Sequence, residues 1–136
     1  MFLCRKAIGD AMDSIEKAER LRGRTKQFSL RVIHLYQHLP GSDEARIIGK
    51  QLLRSATSVA ANYRAACRAR SDREFYAKMC IVVEEADETE FWIDLLRDAG
   101  IVKSERLINL HQEAMEILKI MSKSRKTAKE NFHNTK

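Results

Sequence analysis

One proline and five glycines in 136 residues leave the chain few places to turn sharply. Nothing alternates with period two for long, so β-strands lack both their pattern and their turns. The cysteines, Cys4, Cys67 and Cys80, are odd in number and form no C-x-x-C pair. That argues against a disulfide framework or a structural zinc site, and for a reducing compartment. No apolar run reaches membrane-spanning length. Residues 1–4 are apolar, but Arg5 and Lys6 follow at once, which is too short for a signal peptide. Also missing are G-x-S-x-G, a P-loop and a dinucleotide fingerprint. The expectation is a cytoplasmic, all-α protein of a single domain covering residues 1–136, with no enzymatic activity, no small-molecule substrate and no cofactor.

What is present is helical periodicity. Ala45, Ile48, Leu52, Ala56, Val59, Tyr63 and Ala66 fall on one face at helical pitch. Gly49, Ala60 and Cys67 flank that face and are small enough for another helix to come close. A polar strip of Gln51, Ser55, Ser58 and Asn62 suggests a specific contact, because such residues compete for backbone hydrogen bonds inside a helix. Helices are expected over about 13–39, 42–70, 72–99 and 104–123, after residues 1–12, which are either frayed or a short helical lead-in, and before a basic frayed tail over 124–136. Gly23 weakens the first helix, and Pro40-Gly41 ends it. Ser42 caps the second helix. Ser71 with Glu74 forms a capping box for the third, Gly100 stops it, and Ser104 caps the fourth. Short connections between four long helices give an up-down-up-down bundle.

The net charge of +6 suits an acidic partner or nucleic acid, and equally a plain solvated surface. The cations gather in three patches. Arg46, Lys50, Arg54, Arg64 and Arg68 lie along helix two. Arg20, Arg22, Arg24 and Lys26 lie in helix one, and Lys123, Arg125, Lys126 and Lys129 in the tail. The residues assigned to nucleic-acid contact are Arg46, Lys50, Arg64, Arg68, Lys123 and Lys126. Aromatics do not interleave with these runs, so base stacking is poorly supported.

Helix three has two apolar faces. Phe75, Met79, Val82, Val83, Ala86, Ile93 and Leu96 serve the core. Ile81, Phe91, Trp92 and Leu95 are surplus to a four-helix bundle and read as a subunit interface. Ile81, Trp92 and Leu95, with Arg54, Glu85 and Glu88, form that expected interface. A neighbour's arginines are expected to meet Glu85 and Glu88, and Arg54 is expected to pair with one of those carboxylates, within a subunit or between two. The acidic run does not read as a metal site. The di-iron pattern needs two Glu-x-x-His motifs, and the one present, Glu130 with His133, lies in the tail. His34 and His38, at i and i+4, lack the intervening base of H-E-x-x-H. Cys67 and Cys80 look like core thiols.

Leu52-Leu53-Arg54-Ser55-Ala56-Thr57-Ser58-Val59-Ala60-Ala61-Asn62-Tyr63-Arg64, followed by Glu85-Ala86-Asp87-Glu88-Thr89-Glu90-Phe91-Trp92, resembles the signature of the 23S ribosomal RNA intervening-sequence proteins. The resemblance covers most of the chain, from about Phe28 to Met121, and includes the Leu35–Leu39 segment that ends in Leu-Pro. It implies a bacterial, left-handed four-helix bundle assembled as a homopentamer, with RNA or a ribonucleoprotein as possible partner and no membrane. The alternative is a protein–protein adaptor without nucleic-acid affinity. This sequence departs from the family pattern in two places. Ala65 stands where the family often has glutamate, which makes helix two more basic, and residues before about Ser14 have no clear counterpart.

Overall fold

The computed structural model describes residues 5–134, with side chains over 12–133. Four helices follow one another up and down: α1 (Arg5–Gln37), α2 (Asp43–Cys67), α3 (Asp72–Asp98) and α4 (Ser104–Asn134). The connections are short because each helix start is capped or each stop is coded. The Ser42 hydroxyl accepts from Ala45 N–H and the Ser71 hydroxyl from Glu74 N–H, which satisfies first-turn donors that lack helical partners. Gly100, at φ +70°, closes α3. Its N–H donates to the Arg97 carbonyl, and Ile101 N–H reaches back to that of Leu96, the pairing of a Schellman motif.

The expected stripes meet in one core. Val32 from α1, Leu52 and Ala56 from α2, Met79, Val82 and Leu96 from α3, and Leu107 and Met121 from α4 are almost wholly buried. Gly49 lets the end of α1 and the turn after it close on α2, since a Cβ there would overlap Leu39 Cδ1 and stand 3.0 Å from the Tyr36 ring. Of the polar strip of α2, Ser55 makes a contact with α3. The Ser55 hydroxyl, itself bonded to the Leu52 carbonyl, lies 2.9 Å from that of Thr89, and both residues are buried. Asn62 instead bonds Ser58 on its own helix, and Gln51 accepts from Arg54.

The end of α4 differs from expectation. The helix does not fray at 124 but continues to Asn134, because its last turns have partners. Ala128 is buried, and the Phe132 ring stacks on Tyr76 of α3 at 6.2 Å. The lead-in takes the helical one of its two expected forms from Arg5, and Gly23 does not interrupt α1. The outermost parts of the expected lead-in and tail, residues 1–4 and 135–136, lie outside the described residues. α2 stops at Cys67 rather than Arg70, since Ser71 must leave helical geometry to cap α3. Among the described residues no helix is long and apolar enough to cross a membrane.

Candidate nucleic-acid interface

The tight turn between α2 and α3 gathers cations. Arg68 caps α2, its N–H donating to the Ala65 carbonyl at 3.1 Å, and Ala69 N–H donates to that of Ala66 at 3.0 Å. Next in the chain, Arg70 N–H donates to a carboxylate oxygen of Glu74 at 3.1 Å, and Ser71 starts α3. Arg64 on α2 and Lys78 on α3 flank this turn. With Arg68, Arg70 and Glu74 they line an open hollow of about 590 Å³ whose other lining residues are Ala61 and Ala65. Four cations thus face one carboxylate, and that carboxylate already accepts a backbone N–H. None of the four cations makes an ion pair among the described residues.

The six residues assigned to nucleic-acid contact do not form one surface. Arg64 and Arg68 share the hollow. Lys123 lies across the end of the bundle, in a crevice that Arg70 also lines. Arg46 sits at the opposite end of α2, where its guanidinium donates to the Gly41 carbonyl at 2.7 Å, and Lys50 lies one turn further along. Lys126 is exposed on α4. Arg70 and Lys78 escaped the sequence reading. Arg70 looked like the last residue of a helix, and Lys78 belongs to a helix otherwise read as acidic.

The expected subunit interface changes in character. Arg54 donates to Glu85 at 3.0 Å and also to Glu88, all within one chain. Of the two arrangements expected for Arg54, this is the pairing within a subunit. The Arg54 guanidinium holds the Glu88 carboxyl below its ordinary range against the opposing effect of burial, and the Trp92 indole N–H assists by donating to the same group at 3.1 Å. Trp92 is only half exposed and packs against its own core. Leu95 is half-buried, whereas Ile81 and Phe91 remain 39% and 52% exposed.

Two cross-helix contacts carried no sequence signal. Arg24 of α1 makes a bidentate pair with Glu113 of α4, at 2.9 and 2.6 Å. His111 of α4 is half-buried and bonds Glu90 of α3 at 2.8 Å. Asp94 adds a third donor atom to that cluster, all within 4.8 Å of one another, but Asp94 is itself paired with Arg97. His34 and His38 are exposed, with a His38 ring nitrogen on the His34 carbonyl. The thiols of Cys67 and Cys80 are half-buried rather than core, and burial pushes the Tyr63 hydroxyl's pKa up.

Comparison with known proteins follows the same core. A family described as 23S rRNA-intervening sequence protein matches residues 20–123. A solved structure from Bacteroides thetaiotaomicron, a protein of unknown function from the S23 ribosomal protein family, is 32% identical. It covers 81% of this chain and 98% of its own, with a TM-score of 0.75. No curated protein matches.

Proposed function

Because the chain belongs to the 23S rRNA-intervening sequence protein family, which is non-catalytic, we propose that it is a cytoplasmic homopentameric scaffold that binds RNA through the hollow at the α2–α3 turn. The observation that carries this reading is the set of four cations without ion pairs, Arg64, Arg68, Arg70 and Lys78, around a floor of small side chains. A phosphate backbone gains most where cations are held on ordered elements and outnumber the local acid, here four against Glu74 alone. Ala61 and Ala65 let a backbone approach closely, and the Ala65 departure from the family pattern falls inside the hollow. Without stacking aromatics beside it, the site favours phosphate contact over base readout.

Filter binding of a labelled RNA over a salt series tests the proposal. Affinity should fall steeply with salt, and Arg64→Glu with Arg68→Glu should weaken binding and reduce the logarithmic slope by about two. Unchanged affinity and slope would remove the hollow from the reading and leave the alternative, an adaptor that binds protein alone.

A further inference from the structure

A larger crevice opens at the same end of the bundle, between the start of α1 and the end of α4. Its volume is about 1150 Å³. It runs along α1 from Ser14 to Arg22 and along α4 from Ile120 to Asn131, which is about three helical turns on the α4 side. Ile15, Leu21, Phe75 and Ile120 supply apolar lining, while Lys17, Arg22, Arg70 and Lys123 supply charge against a single carboxylate, Asp72. None of these four cations has an ion pair among the described residues. Much of both walls, including Ile15, Lys17, Ala128 and Asn131, lies outside the family match over residues 20–123. Ile15 is 59% exposed and Met12, one turn earlier, 57%, so apolar surface continues from the crevice along α1.

We propose that this crevice is a docking groove for an acidic amphipathic helix of a partner protein. Its volume exceeds the roughly 300–1,000 Å³ of small-molecule sites. Its length and its two antiparallel walls match a short helix laid in a groove, with an apolar stripe against Ile15, Leu21, Phe75 and Ile120. Charge complementarity sets the sign of the partner: cations on both walls select acidic residues flanking that stripe and reject basic ones. The outer parts of both walls, with Ile15 and Lys17, extend past the family match, while Leu21, Phe75 and Ile120 lie within the shared bundle. This chain's own helix extensions thus lengthen a groove that the bundle begins.

Fluorescence anisotropy on the full chain tests this with three labelled peptides of roughly five turns each. One carries a leucine stripe flanked by glutamates, one the same stripe flanked by lysines, and one is the glutamate peptide broken by a central proline. The glutamate peptide should bind, and the other two should bind at least about tenfold more weakly. Ile15→Glu, and separately Lys17→Glu with Lys123→Glu, should each weaken the glutamate peptide by a similar factor. These positions are exposed, and their substitution should leave the melting temperature in place. Equal binding of the glutamate and lysine peptides, or none, would overturn the proposal, as would wild-type affinity in the Ile15→Glu protein. Displacement of the peptide by RNA from wild-type chain but not from the Arg64→Glu, Arg68→Glu protein would assign the crevice to the RNA surface instead. A change of assembly mass on Ile15→Glu would assign it to a subunit contact. Failure of RNA binding alone leaves the peptide result intact, so the two readings fall separately.

Discussion

Arg54 bonds Glu85 and Glu88 together, yet 46% of its side-chain surface stays in water. Solvent screens such a pair, and removing one partner strands no charge in a dry interior. Arg54→Met is therefore expected to cost less than about 1 kcal/mol in urea denaturation. A loss of about 3 kcal/mol would mean that the carboxylates are covered in the working protein. Arg24 and Glu113 form a better enclosed pair, bidentate and joining α1 to α4. The bond to Arg24 holds the Glu113 carboxyl below its ordinary value of 4.5 although burial opposes this. A depressed carboxyl stabilises the fold fully above its unfolded pKa, and that contribution is lost as pH falls through the folded value. The stability gap between wild type and Arg24→Ala should thus be constant near neutral pH and shrink on acidification below about 4.5. A gap that persists or widens in acid would show that Arg24 acts through packing of its stem.

Two glycines in helices of the same bundle should respond to alanine with opposite signs. Gly23 is exposed inside α1, and a Cβ there meets nothing within 4 Å. Gly23→Ala should stabilise by about 1 kcal/mol through helix propensity alone. Gly100 also has open space around it, but its φ of +70° is what ends α3, and Gly100→Ala should cost roughly 1–2 kcal/mol. Calorimetric melting of both variants checks the pair, and two shifts of the same sign would contradict the argument from backbone geometry. The sequence revealed these elements because capping and stop signals are local, and because stripes such as Ala45, Leu52, Ala56, Val59 and Tyr63 repeat at helical pitch. The far end of α4 was not legible. Past Lys123 the chain reads as solvated, and only the folded bundle brings Tyr76 under Phe132 and encloses Ala128. The hollow was half legible for the same reason. Arg64 and Arg68 share a helix face, but Arg70 and Lys78 reach them only through the turn that Ser71 and Glu74 fix. His111 with Glu90, and Arg24 with Glu113, join separate helices and left no trace in spacing.

At the scale of the molecule, the assembly must be argued from the apolar surface that a single chain leaves uncovered. Trp92 was the natural anchor while it stood opposite the core stripe, but its indole N–H is bonded to Glu88 and its ring packs against its own bundle. Glu85 and Glu88 already have Arg54 within the chain. What remains on α3 is Phe91, set edge-to-face on Trp92, with Ile81 three turns back. These side chains would be the apolar centre of a contact, with Glu84 and Asp87 at its charged rim. A heterologous contact of this kind closes into a ring when its rotation permits. The number five comes from the family resemblance alone, and light scattering on the proposed pentamer should give roughly five times the 15.7 kDa of one chain. Phe91→Glu should lower that mass while leaving helix content and melting of the separated chains near wild type, because Phe91 is 52% exposed in its own bundle. Trp92→Glu should instead lower the melting temperature, since it unseats a residue packed on the core. A wild-type monomer at micromolar concentration would overturn the ring. An intact ring in Phe91→Glu would move the contact off this face of α3.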